Sequence, residues 1–217
     1  FMGFFIVKHE YRASGIGRKL WLQRRDHLLS RLNKGAAIGM DGVVAMQPFY
    51  RKGGFLPAFR DERYVVTGQS CPVDSHISSI TPADYQLIFE YDKQCFGFSR
   101  SNFLKLWLEL PDGFRFKYVS DGLLKGMAVV RKATEGYKIG PLFSDNVIVA
   151  EALYQACINA VPGQSLFLDI PVSNPDACNL VKKYKTDYVF ECARMYYGKA
   201  PELPLPKIFG ITTFELG

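Results

Sequence analysis

No Cys-x-x-Cys pair occurs in this chain, and its five cysteines, Cys71, Cys95, Cys157, Cys178 and Cys192, are odd in number and widely spaced. That pattern argues against a disulfide framework and a zinc-binding module, and for reduced thiols in a cytoplasmic setting. The three histidines, His9, His27 and His76, are equally scattered, so no metal is expected. No apolar run reaches the roughly 20 residues of a membrane span, so no membrane partner is expected. The order of a charged region, an apolar segment and a small-residue cleavage site that marks a signal peptide is also missing. Phe1 precedes Met2, which suggests a start inside a longer protein.

Acidic residues are scarce at one end only. Residues 1–68 carry 12 Lys or Arg against 5 Asp or Glu, a balance of +7, and the rest carry 15 against 16. Nearly all of the net charge of +6 therefore lies in the first third. A basic mouth steers a polyanion toward it. Nucleic acid is one such polyanion, but neither an interleaved aromatic and basic platform nor a recognition helix is present, and it ranks below a nucleotide-type anion. With 217 residues and 48% hydrophobic content, the chain suits one large or two small globular domains.

The most informative stretch is FFIVKHEYRASGIGRKL, residues 4–20. An apolar run, read as a buried strand over 3–8, feeds a glycine-bearing turn that opens a helix over 16–32. N–H groups at a helix start have no partner within the helix, and the helix dipole adds partial positive charge there. Gly15 and Gly17 let the backbone turn tightly and approach a ligand without a Cβ in the way. A diphosphate suits such a cradle.

The run Val7 to Leu20 resembles the acetyl-CoA motif of the GNAT N-acetyltransferases, V-x-P-x-x-R/Q-x-x-G-x-G/A-x-x-L, with His9 in place of the proline. A second stretch, Tyr50-Arg51-Lys52-Gly53-Gly54-Phe55, is similar to the Y-x-K-x-G-F signature of the same family, at the spacing the family uses. The resemblance implies an α/β (α+β) fold of mixed, largely antiparallel sheets flanked by helices. It implies acetyl-CoA as co-substrate, with its phosphates on Arg12, Ala13, Ser14, Gly15, Ile16, Gly17 and Arg18. Its pantetheine arm would lie along Phe5, Ile6 and Val7, and Tyr50 would protonate the departing sulfur. A tyrosine of ordinary pKa, about 10, keeps its proton at neutral pH and can donate it. Tyr50 as a packed aromatic is the alternative. Glu10, His9 and Asp41 are near in sequence, but the general base stays unassigned.

Further along, a short strand is expected at 36–40, a turn at Asp41-Gly42, a short helix over 45–50 and two extended pieces over 55–66. The stretch GQSCPVDSHISS, residues 68–79, is polar and turn-rich, and within it residues 69–79 read as a linker. Helices are then expected at 82–93 and 100–110, strands at 116–119, 123–131 and 137–143, a helix at 147–160, a strand at 166–171, a helix at 175–184 and a strand at 188–196. This order is similar to a whole GNAT copy. Residues 1–68 match only the latter half of one, so the resemblance is to a tandem protein: a coenzyme-binding half unit over 1–68 that lacks its early elements, and a GNAT-like domain over 80–217. In the second copy Pro141 removes a donor and Asp145 puts a carboxylate at the helix start, so phosphate is disfavoured there.

Two functions stay open: direct acetyl transfer to an amine of a small molecule or peptide, and a non-catalytic acyl-CoA-binding protein or pseudoenzyme of the same fold. The acceptor and the oligomeric state are not readable. Arg24 and Arg25 read as a solvated helix face.

Overall fold

The computed structural model describes residues 1–216; Gly217 lies outside the described residues. The fold is mixed α/β, with largely antiparallel strands flanked by helices. Two compact units partition the chain: Phe1–Phe59, Cys192–Pro201 and Phe214–Gly217 form unit 1, and Arg60–Glu191 with Glu202–Thr213 form unit 2.

Unit 1 contains α1 (Ile16–Arg31), β1 (Ile38–Val43), α2 (Gln47–Lys52), the start of β2 (Phe55–Thr67) and the end of β8 (Asp187–Tyr197). β1 pairs antiparallel with β8, in register from Ile38 opposite Tyr197 to Val43 opposite Cys192. The core gathers around Trp21, which is 1% exposed. Its ring lies 5.3 Å from Phe49, 6.0 Å from Tyr50 and 5.5 Å from Phe55. Contacts of this kind contribute about 0.5–1.5 kcal/mol each beyond the area they bury.

Two expectations for unit 1 need correction. Residues 3–8 are not a strand and not wholly buried: Phe4 and Ile6 are strongly exposed. Phe4 sits at φ 43°, which breaks an extended run, and the carbonyls a neighbouring strand would use go to arginine side chains instead. Asp41 and Gly42 do not turn the chain but lie inside β1, opposite Arg194 and Ala193. The buried stripe of α1 runs through Trp21, with Leu22, Leu28 and Leu29 partly buried beside it, whereas Ile16, Leu20 and Leu32 are exposed.

Unit 2 contains β3 (Ile77–Ser79), α3 (Tyr85–Phe96), α4 (Ser101–Leu108), β4 (Phe114–Ser120), β5 (Leu123–Lys132), β6 (Tyr137–Ser144), α5 (Val147–Ala160), β7 (Ser165–Pro171), α6 (Pro175–Lys183) and β9 (Ile208–Gly210). Its strands neighbour in the order β3, β4, β5, β6, β7, β2, antiparallel except for the parallel pair β6–β7. The crossover between those two is α5, as a parallel connection requires. α5 lies across β4, β5 and β6. A Cβ at Gly126 would press on Leu153 and Val149 of that helix, so glycine allows the close approach.

Local signals placed most of these elements. Thr81 and Asp84 form a reciprocal capping box ahead of α3. Asn146 accepts from the Val149 N–H at the head of α5, and Asn174 accepts from Asp176 and Ala177 at the head of α6. Asp121 and Gly122, at φ 53° and 72°, make the tight hairpin turn between β4 and β5. One feature differs from expectation. β2 is one strand of 13 residues, not two pieces, and its second half pairs with β7 from Asp61 opposite Pro171 to Thr67 opposite Ser165. The Pro-rich tail ends in β9, which joins the sheet.

Candidate functional site

The turn before α1 is built residue by residue. A 3-10 turn over His9–Tyr11 follows Lys8, and Ala13 at φ 62° and Gly15 at φ 83° reverse the chain. The Ser14 hydroxyl donates to the Tyr11 carbonyl at 2.7 Å, and Arg12 Nε donates to the Val7 carbonyl at 2.9 Å. Gly15 is the residue ahead of the helix, and no side chain caps it. The first intrahelical bond is Lys19 N–H to Gly15 O, so the N–H groups of Ile16, Gly17 and Arg18 precede it. A Cβ built on Gly15 would meet nothing within 4 Å. Open space, uncapped donors and the exposed Arg12, Arg18 and Lys19 suit an anion such as a diphosphate.

Phe5 and Val7 face this helix while Ile6 points away. A Cβ at Gly17 would lie 3.2 Å from Val7 Cγ2 and 3.9 Å from the Phe5 ring, so Gly17 serves packing as well as any ligand. Arg24 binds the same segment. Its guanidinium donates to the Phe4 carbonyl at 2.8 Å and to the Gly3 carbonyl at 2.7 Å. Arg25 donates to the Gly53 carbonyl at 3.1 Å and lies over Trp21 and Tyr197. Neither arginine is simply a solvated face. Spacing could have flagged Arg24, because it stands two helical turns from Gly17 on the same side.

The Tyr50 to Phe55 signature folds into the core of the same unit. Gly53 lies against the Trp21 ring with no room for a Cβ, Gly54 takes φ 92°, and Phe55 is fully buried. Tyr50 is 6% exposed and packs on Gly42 and Met195. Burial, then the nearby Cys192, raises its pKa above the usual value, so the hydroxyl holds its proton throughout the neutral range. Of the three residues near in sequence that could serve as base, His9 and Glu10 are exposed in the 3-10 turn and Asp41 is bound by Arg194.

Unit 2 treats its corresponding helix start differently. α5 is capped by the Asn146 side chain, and Asp145 accepts from the Tyr91 hydroxyl and the Lys207 ammonium, each at 3.0 Å. A cavity of about 520 Å³ opens elsewhere in this unit, where Tyr85, Glu109, Arg115 and Phe116 line it. Its polar groups serve one another: the Tyr85 hydroxyl donates to Glu109 at 3.5 Å and Arg115 donates to the Leu108 carbonyl. Among the described residues, no group of three or more His, Cys, Asp or Glu is placed to hold a metal, and no helix is long and apolar enough to cross a membrane.

Comparison with known proteins decides the family. The sequence profile of the acetyltransferase (GNAT) domain matches residues 88–210, more than half of the chain. The chain belongs to the GNAT acetyltransferases. As a GNAT chain it is 29% identical to the holothin acyltransferase of Pseudoalteromonas sp. (strain SANK 73390) over 219 aligned residues, which cover 100% of this chain and 73% of that protein. A Pyrococcus horikoshii protein solved as an acetyltransferase candidate superposes with TM-score 0.82 at 24% identity, over 97% of this chain and 69% of that one. The tandem GNAT protein of the clavulanic acid biosynthesis pathway superposes with TM-score 0.61 at 13% identity, over 91% and 74% of the two chains. The profile match lies mostly in unit 2, whereas the glycine turn and the Tyr50 signature of unit 1 precede it.

Proposed function

We propose that this GNAT chain is an acetyl-CoA-dependent N-acetyltransferase that passes an acetyl group directly to an amine of a small molecule or peptide. In this reading residues 1–68 are the latter half of a coenzyme-binding GNAT unit, 69–79 a linker and 80–217 a second GNAT-like domain. The likeness to a protein named holothin acyltransferase supports acyl transfer as the reaction, and the fold likeness to a tandem GNAT protein supports two copies.

The observation that carries the reading is the head of α1. Three N–H groups stand ahead of the first intrahelical bond, beside a left-handed Gly15 with empty space over its Cα and basic side chains around it. There Arg12, Ala13, Ser14, Gly15, Ile16, Gly17 and Arg18 would hold the diphosphate, and Phe5, Ile6 and Val7 would border the acyl arm. When bound, the coenzyme supplies an activated thioester. Tyr50 keeps a proton on its hydroxyl at neutral pH, available to the leaving sulfur. Arg24 holds the Gly3 and Phe4 carbonyls and so orients the backbone that leads into Phe5–Val7.

The test is release of free coenzyme A from acetyl-CoA in the presence of a panel of amines. Release that depends on one amine class, and is lost in Gly15→Glu, is expected. Binding of coenzyme without turnover on any amine would leave a non-catalytic acyl-CoA-binding protein.

A further inference from the structure

Alternate residues of β4 point to opposite faces of its sheet. Arg115 and Lys117 share the face that α3 and α4 cover. Lys117 pairs with Asp84, just ahead of α3, and Arg115 donates to the carbonyl of Leu108, the last residue of α4. The cavity of about 520 Å³ opens here, lined from one side by Pro82 and Tyr85 and from the other by Glu109 and Arg115. Its size suits a small organic molecule, for which sites of about 300–1,000 Å³ are usual.

The cavity carries one charge of each sign. Both act on the Tyr85 hydroxyl: burial first, then the Glu109 charge, raise its pKa above the usual value, and the Arg115 charge opposes them. Yet among the described residues no ion pair joins Glu109 to Arg115 or to any other cation. The carboxylate meets only the Tyr85 hydroxyl, at 3.5 Å, a long hydrogen bond. The guanidinium uses one nitrogen on Leu108, and its other two have no partner among the described residues. Beside these charges Ile80, 4% exposed, joins Pro82 and Tyr85 as apolar lining. The Ile80 N–H donates to the Arg115 carbonyl at 3.0 Å, so the apolar wall and the guanidinium stand on one hydrogen-bonded backbone.

We propose that this cavity is a binding site for a free α-amino acid with an apolar side chain. Its ammonium would meet Glu109, where the end of α4 adds partial negative charge. Its carboxylate would meet Arg115, whose planar guanidinium matches that group. Its side chain would lie against Ile80, Pro82 and Tyr85. A simple anion would face the Glu109 carboxylate and a simple cation the Arg115 guanidinium, whereas a zwitterion satisfies both. The site lies wholly within unit 2 and does not rest on the coenzyme reading of the α1 turn.

Calorimetric titration of the intact chain with L-leucine and L-phenylalanine, without coenzyme, tests this. One site per chain is expected. N-acetyl-leucine lacks the ammonium and isopentylamine lacks the carboxylate, and each should bind about 10-fold more weakly than leucine, or worse. Glu109 is exposed, so Glu109→Gln leaves the core of the unit alone. In that variant leucine should weaken by a similar factor, and N-acetyl-leucine should change little. Failure of both amino acids to bind the intact chain would overturn the site. Equal affinity for leucine and either derivative would overturn the zwitterion. Leucine binding unchanged in Glu109→Gln would put the ligand elsewhere and overturn the assignment.

Discussion

Arg194 grips Asp41 with two parallel hydrogen bonds, from Nε at 2.6 Å and from a terminal nitrogen at 3.1 Å, across the β1–β8 pair. Both side chains are nearly or wholly buried. The Arg194 guanidinium also lies over the rings of Phe1 and Phe59. A carboxylate so engaged joins two distant stretches of sequence and is poorly placed to accept a proton from a substrate.

Removal of one member of that pair leaves the other charge buried. Asp41→Ala should therefore lower stability by about 3 kcal/mol, a typical cost for a broken buried pair. The double variant Asp41→Leu, Arg194→Met should recover much of the loss. Urea unfolding of the four proteins measures both. Turnover lost in Asp41→Asn at unchanged stability would instead mark Asp41 as a base.

Tyr50→Phe keeps the packing on Trp21, Gly42 and Met195 and removes only the hydroxyl. Coenzyme affinity should hold within about twofold, while the rate of coenzyme release should drop about 100-fold, the lower end of the range for loss of a general acid. Equal turnover in single-turnover assays would take Tyr50 out of the chemistry.

Gly53→Ala should cost about 1–3 kcal/mol, because the new methyl would enter the Trp21 ring and the core must shift. Gly35→Ala makes a useful contrast. It adds its methyl to open space but at φ 85°, so its cost is backbone strain alone, about 1 kcal/mol. Thermal unfolding of the two variants separates steric from conformational cost.

The protein should lose stability in alkali. Burial, reinforced by a hydrogen bond to Glu62, pushes Tyr64 up to about 12, and burial with a bond to Glu151 does the same for Tyr184. Both groups hold their protons more tightly folded than unfolded. Their contribution is complete below about pH 10, where the unfolded phenol titrates, and is lost as pH rises through 12. Urea midpoints between pH 9 and 12 should fall, and Tyr184→Phe should make the fall shallower.

Much of unit 2 was readable because its punctuation is local. Thr81 with Asp84, Asp121-Gly122, Asn146 and Asn174 act within three or four residues of themselves, and the sequence displays them directly. The apolar run at 3–8 misled for the opposite reason. Whether such a run pairs depends on what lies beside it, and here Arg24, twenty residues on, takes its carbonyls. Asp41-Gly42 reads as a turn until Arg194 is seen opposite.

Family, the presence and order of the helices and the glycine turn followed from residue order alone, while several helix ends moved by two or three residues, since periodicity, caps and positive-φ positions are properties of short stretches. Tertiary structure decided the rest: that Asp41 is held rather than poised, that Gly53 and Phe55 serve Trp21, and that the tail enters the sheet between β6 and β7. Each of these joins groups far apart along the chain, and no local pattern encodes the free energy of such a meeting.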